Sequence, residues 1–338
     1  MITIQEIARD ARVSTATVSR VFSNHPNVKA GIRERVLQVA RSRDYHPRLS
    51  GRRRNVMLIT PSRSAYPVQN YVEMVVSHLA GELAARGYRI EILPADNLDR
   101  LENIPFCGAI RIGSDEVPWN NWNARFDAPL VMIDREVTPP LPNVFSVRSN
   151  EKQGMELAVE YLFRRGHRRI GCLVSMSKLG NPLQRERYLE EALAERKLPA
   201  GKSLVRLPTE ENFVEEVGKL LRNKPDAIFS PGGSGGIITA YALSLYGKRV
   251  PDDISLVVSE RAMISRYCIP PQTAITQDYH ALAVAAVDVI DARLRRQDFP
   301  RETVLDYQLI ERDSVADRAA DRPVLTNHPV PGGPGGST

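Results

Sequence analysis

The sequence predicts a small all-α, helix-turn-helix segment followed by a much larger α/β body built on parallel sheets, and three observations carry this. Three short amphipathic helix patterns crowd the stretch from Ile4 to Tyr45. From Asn55 onward, strand-like apolar runs alternate with helix-length patterns, the rhythm of parallel sheets in which each crossover needs a covering helix. Charge divides at the same place: Met1 to Asn55 carries 12 Lys and Arg against 4 Asp and Glu, a net +8, while the rest of the chain carries −2. Basicity confined to one small segment is the footprint of an acidic partner for that segment alone.

Thr3-Ile4-Gln5-Glu6 is a capping box: the Thr3 hydroxyl can take the Glu6 amide while the Glu6 carboxylate reaches back. Ile4, Ile7, Ala8 and Ala11 then line one face. After a break at Ala11-Arg12-Val13, Ser14 is the N-cap of a second helix running to Phe22. Its apolar residues are Val18, Val21 and Phe22, which leaves Thr15, Ala16, Thr17, Ser19 and Arg20 mostly outward. Short polar side chains at a helix N-terminus are what a DNA major groove admits. A third pattern, on Ile32, Val36, Val39 and Ala40, runs toward Tyr45 and covers the other two, completing a helix-turn-helix with its supporting helix.

In the body, strands are predicted at Val56–Ile59, Arg89–Leu93, Ala109–Ile112, Leu130–Ile133, Ile170–Val174, Ala227–Ser230, Leu256–Val258 and Val304–Ile310. Helices are predicted at Tyr71–Arg86, Glu151–Arg165, Leu183–Lys197, Phe213–Leu221, Ile237–Tyr246 and Asp278–Arg296. With 338 residues and 42% hydrophobic content the chain can bury a large core divided into two or three domains. Cys107, Cys172 and Cys268 are an odd, widely spaced set, which points to buried free thiols in a reducing compartment rather than a disulfide frame or zinc site. No signal peptide or bilayer-length apolar run is present, so cytoplasmic residence and no membrane partner are expected. Neither a dinucleotide fingerprint nor a Walker loop occurs, and no cofactor or metal is expected.

The N-terminal residues Thr3-Ile4-Gln5-Glu6-Ile7-Ala8, Val13-Ser14, Thr17-Val18-Ser19-Arg20-Val21, Arg33-Glu34-Arg35-Val36 and Tyr45-His46-Pro47 recur in the order and spacing of one family. This stretch resembles the headpiece of the lac repressor/galactose repressor family. The body is similar to the effector domain of the same family, a bilobed fold like the periplasmic sugar-binding proteins. The matching stretches are 129–135, 162–171, 225–229, 249–257 and Tyr267 through Pro270-Pro271 to Gln277. The resemblance divides the chain into a DNA-binding headpiece over 1–46, a basic hinge over 47–55, and a bilobed effector-binding and dimerisation domain over 56–313. The Pro- and Gly-rich tail over 314–338 is expected to be disordered.

The resemblance implies a homodimeric transcriptional regulator, a repressor, that addresses double-stranded operator DNA of near-palindromic sequence and answers to a small molecule held between the lobes. Candidate DNA contacts are Thr3, Ser14, Thr15, Ala16, Thr17, Ser19, Arg20, Asn24, Tyr45, Arg48, Arg52, Arg53 and Arg54. Candidate effector contacts are Ser62, Arg63, Tyr66, Asp134, Arg185, Glu260 and Gln277. Two departures bear on these. In the hinge, Gly51 stands where a small helix former is usual, and Arg54 falls where the family places a minor-groove leucine, so arginine contacts to phosphate or to a narrow groove replace the wedge. In the cleft, Ser230-Pro231-Gly232 replaces an Asn-Asp pair and Ser259-Glu260-Arg261 replaces an aromatic-Asp-Asp, which points to an atypical effector, with an anionic group that Arg63, Arg185 or Arg261 would meet.

Two alternatives compete. A periplasmic-type binding or sensor protein would share the body but not the basic headpiece. A serine hydrolase could use Gly232-Gly233-Ser234-Gly235-Gly236 as a nucleophile elbow, with Ser234 attacking, Asp253 or Glu260 as acid and His280 as base.

Overall fold

The structure, a computed structural model, describes residues 2–22, 25, 27–43, 45, 54–62, 71–113, 121–176, 182–232, 235–260 and 264–319. The headpiece has three helices, α1 (Ile4–Asp10), α2 (Thr15–Phe22) and α3 (Ala30–Ser42). The predicted capping box is formed: Glu6 N–H donates to Thr3 Oγ1 at 3.3 Å and Thr3 N–H donates to Glu6 Oε2 at 2.7 Å. Ser14 Oγ takes the Thr17 amide at 3.1 Å, as an N-cap should. Ile7, Ala8, Ala11, Val18, Val21, Val36, Leu37 and Ala40 form the shared core, with Tyr45 closing its edge against the Phe22 ring.

The turn between α1 and α2 places Arg12 at φ 52°, a left-handed conformation that favours glycine. Lys29 precedes α3 without a side-chain cap. Arg35 offsets part of both defects by donating from Nε to the Ala11 carbonyl at 2.9 Å, which pins the turn to α3.

The body has two six-stranded sheets. In the first lobe β1 (Asn55–Thr60), β2 (Arg89–Pro94), β3 (Gly108–Ile112), β4 (Leu130–Ile133), β5 (Val144–Ser149) and β11 (Glu302–Leu305) lie in the order β2-β1-β3-β4-β5-β11, all parallel. Helices α4 (Tyr71–Ala85) and α10 (Tyr279–Leu294) cover one face through Val75, Leu79, Leu83, Leu282, Ala286 and Ile290. On the other face the short α5 (Trp122–Arg125) brings Trp122 against Phe106 and Phe126, over Met57, Ile59 and Met132.

In the second lobe β6 (Ile170–Leu173), β7 (Val205–Arg206), β8 (Ala227–Ser230), β9 (Ser255–Ser259), β10 (Thr273–Thr276) and β12 (Gln308–Ile310) run in the order β7-β6-β8-β9-β10-β12, and only β12 is antiparallel to its neighbour. Helices α6 (Glu151–Arg164) and α7 (Pro182–Glu195) pack on one side, α8 (Phe213–Leu221) and α9 (Gly235–Leu245) on the other. Strands buried on both faces explain the unbroken apolar runs in the sequence.

The structure corrects four expectations. The run Val304–Ile310 is two strands in different sheets, β11 and β12, because the chain leaves one lobe for the other at Asp306-Tyr307. Strands β5, β7 and β10, absent from the sequence prediction, complete the sheets. The packed chain does not stop at 313: Ser314 is fully buried, takes the Thr273 amide at 2.8 Å and donates to the Leu256 carbonyl, and the Arg318 amide reaches the Arg165 carbonyl at 2.8 Å. The rest of the predicted tail, 320–338, lies outside the described residues. Cys107 and Cys172 are buried free thiols, but Cys268 is partly exposed. Among the described residues no helix is long and apolar enough to cross a membrane.

The fully buried Ile7 is central to a headpiece too small to absorb a cavity. Ile7→Ala should cost about 2–5 kcal/mol, enough to unfold the headpiece. Calorimetry is expected to keep the transition of the body unchanged while duplex binding disappears.

Candidate DNA interface and effector cleft

On α2 the burial pattern separates two faces. Val18 and Val21 point into the core, and Thr15, Ala16, Ser19 and Arg20 are exposed together on the opposite side. Ser14 and Thr17 are tied to each other through their hydroxyls at 2.8 Å, so they shape the start of the helix. Thr3 is likewise engaged by Glu6. Tyr45 stacks edge-on against Phe22 at 5.7 Å, an intramolecular use of its ring.

Of the hinge arginines, Arg48, Arg52 and Arg53 fall outside the described residues, as does Asn24. Arg54 lies on the body: Nη1 donates to the Arg86 carbonyl at 3.1 Å and the guanidinium sits 5.4 Å from the centre of the Tyr88 ring. The residue that replaces the family's leucine is thus held at the root of the first lobe.

The cleft between the lobes is reached by three crossovers of the chain, from β5 to α6, from β10 to α10, and from β11 to β12. Asp134 ends β4 in a left-handed conformation, φ 50°, with its amide donating to the Val147 carbonyl at 3.0 Å. Its carboxylate accepts from the Ser149 amide at 2.7 Å, from the Tyr71 hydroxyl, and from Gln277 Nε2 at 2.8 Å. Gln277 also donates to Ser149 Oγ at 2.8 Å, which joins the second crossover to the first. Burial pushes the Asp134 carboxyl above its ordinary range, against the opposing effect of these donors, and the nearby Glu151 carboxylate raises it further.

Arg185, in the first turns of α7, points into the same space and is paired with Glu151, the first residue of α6. The pairing is bidentate: Nε meets Oε2, and Nη2 meets Oε1 at 2.8 Å. Tyr307, at the third crossover, donates its hydroxyl to the same Oε1 at 2.7 Å. Burial alone would lower the Arg185 pKa, but the Glu151 charge outweighs it and the net shift is upward. Gly154 leaves the room that Tyr307 fills, since a Cβ there would meet the ring at 2.8 Å. Glu260 does not reach this group freely; Arg312 holds it at 2.8 Å and the Ser265 amide at 3.3 Å.

Four predicted effector residues, Asp134, Arg185, Glu260 and Gln277, therefore do gather in or beside the cleft. Ser62, two residues beyond β1, bonds Asp96. Arg63, Tyr66 and Arg261 lie outside the described residues. Sequence reasoning missed Glu151, Tyr71, Ser149 and Tyr307. The one available signal was the polar break Asp306-Tyr307 inside an otherwise apolar run. The space left among Met155, Arg185, Gly232, Ser259, Glu260, Ile275, Gln277 and Tyr307 is about 10 Å³, room for about one water.

The hydrolase alternative loses its partners. Asp253 caps the Arg249 amide at 2.8 Å, Glu260 is held by Arg312, and His280 sits on α10 of the first lobe with its ring 6.4 Å from that of His78. Ser234 lies outside the described residues.

A helix-turn-helix with an exposed polar face, carried on two α/β lobes joined by three crossovers, defines a DNA-binding regulator. Comparison with known proteins gives the family. Residues 3–48 match the profile of bacterial regulatory proteins of the lacI family, and residues 159–315 match that of the periplasmic binding protein-like domain. The chain is 27% identical to the HTH-type transcriptional regulator DegA of Bacillus subtilis over 297 residues, covering 81% of this chain and 86% of that one. It is 25% identical to the ribose operon repressor of Haemophilus influenzae over 341 residues, 93% of this chain and 99% of the repressor. Among solved structures, the regulator CelR in complex with cellobiose superposes with a TM-score of 0.66 at 22% identity, covering 93% of this chain and 100% of CelR. A lac repressor dimer bound to operator and an anti-inducer superposes with a TM-score of 0.65 at 21% identity, over 93% and 99%. This chain belongs to the lacI family of transcriptional regulators, with a periplasmic-binding-protein-like body.

The raised pKa of Asp134 has a definite consequence for stability. Its folded carboxyl binds a proton more tightly than the unfolded one, whose ordinary value is 3.8, so its contribution is full below that value and is lost as pH rises through the raised folded value. Asp134→Asn removes this dependence. The melting temperature of the variant minus that of the wild type should rise between pH 3.8 and neutrality, whatever constant cost the lost acceptor brings. A difference that stays flat across that interval contradicts it.

Proposed function

We propose that this regulator is a repressor that binds a near-palindromic operator as a homodimer, with its DNA affinity set by a small polar molecule taken up between the lobes. The observation that carries the DNA assignment is the face of α2 on which Thr15, Ala16, Ser19 and Arg20 stand exposed above a closed three-helix core. In this division residues 1–46 read the duplex, 47–55 tether the reader, and the lobes sense. The effector site is the space around Asp134, Arg185 and Gln277, at the ends of strands where α/β folds take their ligands. Relatives support it: several are named repressors, and CelR holds cellobiose.

Dimerisation is supported by an exposed apolar surface on the second lobe. Ile237, Tyr241 and Leu245 recur every fourth residue along α9 and are 44, 59 and 58% exposed. Tyr267 and Ile269 beside the 3-10 turn Ile264–Tyr267 are 77 and 99% exposed, and Gln272 Nε2 bonds the Gly236 carbonyl at 3.4 Å, which ties this segment to the start of α9. Apolar side chains this exposed and this clustered are covered by a partner. A second copy presents the same surface, so the contact closes on itself.

Two outcomes test the assignment. Duplexes selected from a random library by the full-length protein should show two related half-sites. Arg20→Ala should then lose about 1–3 kcal/mol on the selected duplex and relax one base position in each half-site. Unchanged selectivity removes Arg20 from base reading. Tyr241→Glu places a charge in the apolar surface, so analytical ultracentrifugation should turn a wild-type dimer into a monomer that binds a full operator at least tenfold more weakly. A variant that remains dimeric places the interface elsewhere.

A further inference from the structure

The sequence points to an anionic effector because the cleft is rich in arginine and short of the usual hydrogen-bonding pair. For one of those arginines, Arg185, the structure gives a different meaning. Around Arg185 the side chains are two carboxylates, Asp134 and Glu151, one amide, Gln277, and the phenol of Tyr307. Glu151 takes the Nε–Nη2 edge of the guanidinium, Nη1 lies so close to Gly232 that a Cβ there would meet it at 2.6 Å, and Tyr307 fixes Glu151 Oε1 from the other side. Arg185 is 13% exposed and Glu151 26%, so the pair is shielded from water on most sides. Among the described residues beside this group, Glu260 is matched by Arg312 at 2.8 Å.

We propose that Glu151 is a built-in ligand of Arg185, a carboxylate supplied by the chain itself, and that it closes the cleft to anionic effectors in favour of neutral, hydroxyl-rich ones. This rests on the assignment of the cleft as the effector site, but the ion pair and its test do not. An added anion at Arg185 would have to sit beside Asp134 and Glu151, with that guanidinium already paired. A neutral polyol needs no such exchange. It can take hydrogen bonds from Tyr71, Gln277 and Tyr307, and give them to Asp134 and Glu151, once the lobes part. The position of Glu151 also gives the pair a mechanical role: it is the second residue after the first crossover strand β5, so any ligand that draws it from Arg185 moves the start of α6 at the hinge.

The test is chemical rescue with the full-length protein. Glu151→Ala opens a carboxylate-sized space beside Arg185, and acetate, titrated against potassium chloride at equal ionic strength, should fill it. At ten times its dissociation constant acetate should raise the melting temperature of Glu151→Ala by about 3 °C. Wild type and the double variant Glu151→Ala/Arg185→Ala should not respond. Glu151→Gln keeps the side-chain shape without the charge, so it serves if the alanine variant does not fold. Its affinity for D-glucuronate relative to D-glucose should rise at least tenfold over the wild-type ratio.

Absence of a saturable acetate response in Glu151→Ala, together with an unchanged sugar-acid ratio in Glu151→Gln, overturns the proposal. So does wild type that binds D-glucuronate tenfold more tightly than D-glucose. A neutral sugar that stabilises wild type in that case leaves the effector site standing without the built-in ligand. Acetate rescue with no response of wild type to any sugar or nucleobase would instead establish the ion pair and sink the effector assignment.

Discussion

The whole body depends on one constraint: the chain crosses between the lobes three times, and the three crossings are bonded to one another. The Asn150 amide donates to the Leu305 carbonyl at 2.8 Å, Asn150 Nδ2 to Asp306 at 2.8 Å, and Gln153 and Tyr307 exchange two bonds at 2.8 and 3.2 Å. Gln277 joins the second crossing to Ser149 in the first. Each lobe therefore borrows its last strand or its covering helix from beyond a crossing, β11 and α10 in the first lobe and β12 in the second. Neither lobe can fold to completion without the other. What remains soft is rotation about the bundle of three strands, which is the motion a ligand between lobes can bias.

The headpiece follows a different economy. It has no sheet to lean on, and its stability rests on a small apolar core and on its caps. One cap is strong, the Thr3–Glu6 box, and one is missing, at Lys29. The left-handed Arg12 adds strain at the turn that sets the angle between α1 and α2. Cross-helix bonds take over, with Arg35 on the Ala11 carbonyl and Arg43 on Asp10 at 2.7 Å. Two arginines thus hold the reader together, so the basicity of this segment is only partly available to DNA phosphate.

How much of this was legible in the sequence depended on range. The capping box, the Ser14 cap and most strands follow from neighbours three or four residues apart, and β4, β8 and α8 fall on the predicted residues. Strand β5 was missed because Phe145-Ser146-Val147-Arg148 alternates and reads as an exposed edge, although in the sheet it is flanked by β4 and β11. The run Val304–Ile310 has strand character throughout, and nothing local says that its two ends belong to different sheets. Arg185 and Gln277 could be placed in the cleft by family resemblance. Glu151 could not, because its partner lies 34 residues away and the pair does not depend on local pattern.

That missing pair changes what the arginine means. A guanidinium counted from sequence is a binding site for an anion; the same group with a carboxylate already across its fork is a crosslink between α6 and α7. Breaking it without replacement leaves a charge stranded in a shielded space, which costs more than the pair contributes when intact. A ligand that inserts here must supply equivalent hydrogen bonds to Arg185, Glu151 and Tyr307 at once, or leave them paired and bind around them. The second route costs less, and it needs hydroxyl groups rather than charge. On the proposed reading, ligand selectivity follows from the pairing of Arg185 with Glu151, and the energy available for parting the lobes is the difference between the bonds a ligand makes and those the chain makes with itself.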